Sequence, residues 1–249
     1  MRTKIVSIVI FGLVLATSDS LRAEDNAEAR AIVDKAIEAH GGVAELKKLQ
    51  NCTQKIKGTI QAMGQEILFT GDLYVSGETR VRVQLEIEVM NMKIAIVNVV
   101  NKDKGWAKVG ENTVEMKKEQ IEEGKETGNV GAITSLAPLK NKEYTVSLVG
   151  EDKVGTIPVQ VIRVSRKNYR DVNLSFDKKT NLLLKTESRA KDENGTEMNE
   201  ERFYSDYNEK GLRQPKKMVV KRDGKTYLEA DILELKVDEK FDDSSFDKP

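Results

Sequence analysis

Residues 80–89 alternate without a break. Val81, Val83, Leu85, Ile87 and Val89 are apolar, whereas Arg80, Arg82, Gln84, Glu86 and Glu88 are polar or charged. Successive side chains of a strand point to opposite faces, so this run predicts a β-strand packed on one side and wet on the other. The same period of two appears around it. Ile67, Phe69, Gly71 and Leu73 predict a preceding strand, and residues 92–100 a following one that is apolar on both faces in places. Gly77 and Met90-Asn91 are the expected turns, and the pattern resumes from Gly105 to Val109.

Beyond a helical interruption the alternation returns. It predicts strands near residues 144–149, 158–165, 171–176, 182–188, 196–207, 216–221 and 227–237. Asn194-Gly195 and Asp223-Gly224 are two-residue hairpin signals, and Asn181 supplies a left-handed residue after Asp177-Lys178-Lys179-Thr180. Strands joined by hairpins build antiparallel sheets. About eleven or twelve strands with a few helices follow, which is a mainly β, α+β fold. With no sequence repeat and no Pro/Gly/Ser linker, residues 24–249 are expected to form one domain.

The helices fall at the start and in the middle. Asp25 and Glu28 fit a capping box; Ile32, Val33, Ala36, Ile37 and His40 share one helical face, and Gly41-Gly42 ends it. Val43, Leu46 and Leu49 predict a short second helix. Residues 116–123 and 130–136 read as two further helical pieces, the second stopped by Pro138.

The N-terminus has the form of a secretory signal. Arg2 and Lys4 precede an apolar stretch over residues 5–16, and Leu21-Arg22-Ala23 offers a small-residue exit. A cleaved signal over residues 1–23 predicts an exported, periplasmic protein with no transmembrane span once it is removed. The whole chain has 41 basic and 41 acidic side chains. The signal takes away three of the former and one of the latter, so the rest is nearly neutral. Nucleic acid, which wants a basic stripe, is not an expected partner.

Chemistry is sparse. His40 is the one histidine and Cys52 the one cysteine, so neither a His-rich zinc site nor an internal disulfide can form. His40 reads as a packing or capping residue and Cys52 as a half-buried structural thiol. Gly224-Lys225-Thr226 lacks the upstream glycine of a phosphate loop, which Val219 replaces. Asp192, Asn194 and Asp242-Asp243 lack calcium-loop spacing and read as turn residues, and Glu122-Glu123 as a solvated helix face. No base, nucleophile and stabiliser can be named together, so no enzyme, metal or cofactor is expected. Trp106 fits either sheet core or the cap of a ligand cavity.

The order of these pieces resembles the periplasmic lipoprotein-carrier (LolA-like) and outer-membrane lipoprotein-sorting families. The likeness is carried by the export signal, by Ala36-Ile37-Glu38-Ala39-His40-Gly41-Gly42 leading to Lys57-Gly58-Thr59, and by the segment from Phe176 to Thr186. Tyr204-Ser205-Asp206-Tyr207 with Gly211 and Pro215, and the closing Phe246-Asp247-Lys248-Pro249, complete it. The resemblance implies a strongly curved antiparallel half-barrel of about eleven strands with helices covering its concave face. It also implies an apolar cavity for the acyl chain of a lipid or lipoprotein. The candidate lining is Phe69, Val83, Leu85, Ile87, Ile94, Ile96 and Trp106. Carriers of this kind use a cavity arginine; Arg80 and Arg82, on the charged side of their strand, do not supply one. The alternative is a non-catalytic envelope module whose outer face or sheet edge docks a protein.

Overall fold

A computed structural model describes residues 26–249 apart from 63, 90, 91 and 193. The expected export signal, Asp25 and the expected turn at residues 90–91 lie outside the described residues. The first six strands form a meander: β1 (Asn51–Ala62), β2 (Gln65–Ser76), β3 (Arg80–Val89), β4 (Met92–Asn101), β5 (Lys104–Val109) and β6 (Asn112–Glu115). Seven more form a second: β7 (Tyr144–Val154), β8 (Ile157–Arg166), β9 (Val172–Asp177), β10 (Leu183–Lys191), β11 (Glu197–Tyr207), β12 (Pro215–Arg222) and β13 (Lys225–Val237). Pairing of β1 with β13 fuses the two into one antiparallel sheet of order β6-β5-β4-β3-β2-β1-β13-β12-β11-β10-β9-β8-β7. Thirteen strands therefore replace the expected eleven or so. One of the extra strands is β6, whose four residues are too few for an alternation to register.

The sheet is open and strongly curved. Bulges interrupt the register at Lys55/Ile56, Leu148/Gly150, Leu183/Lys185 and Val220/Lys221. Each extra residue bends its strand and increases the local twist. Gly58 and Gly71 allow a tighter fold still. A Cβ on Gly58 would lie 1.8 Å from the Glu229 carbonyl oxygen, and one on Gly71 2.0 Å from that of Gln84. Neighbouring strands approach here closer than any side chain would permit.

Three helices lie on the concave side: α1 (Ala27–Ala39), α2 (Gly42–Lys47) and α3 (Lys118–Thr134). The cap of α1 is Asn26 rather than Asp25, its Oδ1 accepting from the Glu28 and Ala29 amides at 2.8 and 3.1 Å. The apolar face read from sequence is the buried one: Ile32, Val33, Ala36, Ile37 and His40 are all inside. The two helical pieces expected around residues 116–136 are instead one continuous helix. Gly124 does not break α3, because a Cβ there would sit 3.0 Å from Val100 Cγ2, so the small residue lets the helix lie close on β4.

The principal core joins α1, α2, the C-terminal part of α3 and residues 137–140 to strands β7–β11. Val33, Ile37, Leu46, Ile133, Leu136 and Leu139 meet Tyr144, Val146, Ile162, Leu174, Phe176 and Leu183. The helices therefore fill the hollow over one wing of the sheet.

One ionic contact ties the wings together across the opening, and a second anchors α3. Arg166, at the end of β8, pairs with Glu78 of the β2–β3 turn at 2.9 Å and with Glu143 at 2.8 Å. Its guanidinium also stacks over Tyr144 and Tyr169, 4.9 Å from each ring centre. Glu123 of α3 grips Arg170 through both carboxylate oxygens, at 2.7 and 3.0 Å, and accepts from the Lys191 amide. Glu123 was expected on a solvated face. It is instead the anchor of α3 to the β8–β9 loop and the end of β10.

On the convex side the C-terminal segment crosses β3 and β4. Arg80 pairs with Asp243 at 2.9 Å, Arg82 donates to the Ser245 carbonyl, and Asn101 to that of Phe246. Phe246 is fully buried. The charged side of β3 thus holds the chain's own tail.

Candidate functional site

The candidate lining can be placed by register alone. Ile94 pairs with Ile87, Ile87 with Phe69, Phe69 with Gly58, Gly58 with Ala230, Ala230 with Met218, and Met218 with Tyr204. Tyr204 belongs to the helix-covered core, so this whole row lies on the concave face. Leu85 pairs with Ile96, one row along, and Val83 follows two residues away on the same side. Six candidates therefore share one face. Phe69 is buried at 3 % exposure, and the other five are half-buried. The surface continues outward through Met92, Val109 and Val114, which are 52–60 % exposed.

Trp106 does not join them. It pairs with Val99, which pairs with Arg82, and so it lies on the convex face with the charged side of β3. Its candidacy is corrected by strand register. Between Asp103-Lys104 and Glu111-Asn112 the short β5 gave two possible phases, and the pairing with β4 selects the one that turns Trp106 outward.

A second row carries a feature that sequence reasoning missed. Ile67, Ile60, Leu228 and Val220 follow one another across β2, β1, β13 and β12, and the next residue on β11 is Arg202. One row further, Arg222 pairs with Glu200. Glu200 Oε1 accepts from Arg202 Nε and Nη2 at 3.0 and 2.7 Å, and its Oε2 accepts from Arg222 Nε at 3.0 Å. The Arg222 guanidinium lies over the Tyr227 ring at 3.6 Å. Glu200 is 4 % exposed. Burial opposes its ionisation, but the charges and hydrogen bonds of Arg202 and Arg222 outweigh that and hold the carboxyl below its usual range. The missed signal was phase. In Glu200-Glu201-Arg202-Phe203-Tyr204 the apolar Phe203 suggests that it points inward, whereas the structure turns Phe203 outward beneath Lys221.

The residues expected to be structural are so. His40 Nδ1 lies 2.7 Å from the Ala36 carbonyl, its Nε2 faces the Leu183 amide at 3.4 Å, and its ring meets Tyr207 edge-on. Burial holds its pKa below 6.5. Cys52 is buried, and burial pushes its thiol up to about 11, so it is a poor nucleophile. Asp192 closes a turn by accepting from the Asn194 and Thr196 amides. Among the described residues no cluster of three metal-ligating side chains occurs, and no helix is long and apolar enough to cross a membrane.

Two surface hollows lie elsewhere. One of about 430 Å³ sits between α1 and the start of β7, lined by Arg30, Val33, Asp34, Leu139 and Tyr144 among others. One of about 220 Å³ sits on the convex face beside Thr53, Asp72, Tyr74 and Glu234. Neither touches a candidate lining residue. The apolar candidates form the surface of an open strip beside the helix-filled hollow.

No family model and no curated protein sequence matches the chain. Solved structures do. A LolA superfamily protein from Nitrosomonas europaea superposes with a TM-score of 0.55 at 13 % identity, over 88 % of this chain and 97 % of that one. An outer membrane lipoprotein-sorting protein domain from Vibrio parahaemolyticus gives 0.53 at 12 %, over 88 % and 96 %. A DUF1329 family protein from Desulfovibrio piger gives 0.55 at 14 %, over 88 % and 97 %. The chain has the LolA-like fold.

Proposed function

We propose that this is an exported, periplasmic, non-catalytic protein that carries the acyl chain of a lipid or lipoprotein on the uncovered apolar strip of its concave face. The observation that carries the reading is the shared face of Phe69, Val83, Leu85, Ile87, Ile94 and Ile96, with Phe69 buried and the other five left half-buried beside a hollow that the helices fill over the other wing. Aliphatic side chains on a curved sheet give a lining that moulds to a flexible chain. Covering that chain contributes about 0.8 kcal/mol per buried CH₂, so a partial trough is enough for reversible carriage. The structural neighbours named for lipoprotein sorting support this use of the fold. A carrier must also release its load, and an open strip suits release better than a sealed cavity.

The test is an acyl probe that fluoresces on leaving water, titrated against the protein over residues 24–249. The wild-type protein is expected to bind it saturably. Ile87→Glu, which puts a charge in the middle of the strip, is expected to weaken binding at least tenfold while leaving the melting temperature within a few degrees. A wild-type protein that ignores the probe would overturn the proposal.

A further inference from the structure

Within that reading, we infer that the strip takes an amphiphile with one anionic end, a carboxylate or phosphate ester, and seats that end at Arg202 and Arg222. Two guanidinium groups here share one carboxylate, which leaves a local charge of one positive unit. Among the described residues, no second carboxylate is bonded to either. The Arg202 and Arg222 side chains are only 17 % and 31 % exposed, so this charge is held away from most solvent. Charge excess in such surroundings is costly unless something pairs with it.

The donors for pairing are present. An arginine carries five N–H groups, and Glu200 engages two of those on Arg202 and one on Arg222. The rest can form the short, charge-assisted hydrogen bonds that guanidinium makes to carboxylate and phosphate oxygens. Stacking on Tyr227 fixes the plane of Arg222, so little order is lost on binding. The approach is apolar: Ile67, Ile60, Leu228 and Val220 lead directly to Arg202. Four strand spacings of about 4.8 Å make that row roughly 19 Å long, the scale of an extended acyl chain. A greasy lane ending at a cationic pair matches a molecule with a tail and one negative head.

The experiment compares four probes on the protein over residues 24–249 by calorimetry: laurate, dodecyl phosphate, dodecanol and inorganic phosphate. Laurate and dodecyl phosphate are expected to bind at least tenfold more tightly than dodecanol, and inorganic phosphate alone not to bind measurably. Replacing both arginines (Arg202→Met with Arg222→Met) should bring laurate down to the dodecanol level and leave dodecanol unchanged. Glu200→Gln, which frees both guanidiniums, should tighten laurate. The wild-type comparison stands even if a variant fails to fold. Equal binding of laurate and dodecanol overturns the anionic end and leaves the carrier intact. Binding of inorganic phosphate as tight as that of dodecyl phosphate overturns the amphiphile. Silence from all three alkyl probes overturns the carrier reading itself, and this inference with it.

Discussion

At the scale of single residues, the protein's one histidine is its internal pH gauge. Burial depresses the His40 pKa below 6.5, so the folded protein disfavours the proton that the unfolded chain accepts. A base with a depressed folded pKa contributes stability above its unfolded value and loses it as pH falls. Stability to urea is therefore expected to be level above pH 7 and to fall between pH 7 and 5. Since no other histidine is present, His40→Gln should flatten that window; an unchanged slope would exclude His40 as its source. Gly71 tests a different point. A methyl group there collides with the Gln84 carbonyl, so Gly71→Ala is expected to cost about 1–3 kcal/mol by the usual penalty for overpacking, read from the urea midpoint. His40 was legible in sequence as a packing residue, because the helical face it shares is unambiguous. Arg202 was not, because its strand carries apolar residues in both phases and only pairing with Val220 and Thr186 fixes which side faces in.

At the scale of elements, the β2–β3 turn is tied to the other wing of the sheet through Glu78 and Arg166. Arg166 is 14 % exposed in its side chain and bonded to Glu78, Glu143 and Asn129. Arg166→Met removes one partner from each and leaves Glu78 partly buried without its cation. Glu78 is about a third exposed, so water offsets part of the loss. The expected cost is about 1–3 kcal/mol in a chemical melt, well above the fraction of a kcal/mol typical of an exposed pair. A cost below 0.5 kcal/mol would show that the wings hold without this contact. The strands of the meanders were legible because hairpin signals such as Asn194-Gly195 and Asp223-Gly224 punctuate clean alternation. The unity of α3 was not: residues 116–123 and 130–136 read as separate pieces, and only packing shows the helix running on between them, with Gly124 against Val100 of β4 and Gly128 against the Glu78 carbonyl.

At the scale of the molecule, the fold sets the location of any cargo. The joining of β1 to β13 gives one continuous curved face; the helices occupy its β7–β11 wing, α3 reaches over to Val100 of β4, and the rest of the β1–β4 wing is left as apolar strip. Curvature was implied by the family resemblance; the division of the concave face into a filled and an uncovered part was not legible, since which wing a helix covers is a matter of tertiary packing. The central claim is that acyl cargo lies on the uncovered part. Photo-crosslinking with a diazirine-bearing fatty acid, followed by peptide mass mapping, measures this directly. The account predicts adducts on the concave face from β12 across β13 and β1 to β4, at residues 60, 67–69, 83–87, 94–96, 220 and 228. Adducts centred on the hollow beside Arg30, Leu139 and Tyr144, or spread over the convex face, would contradict it.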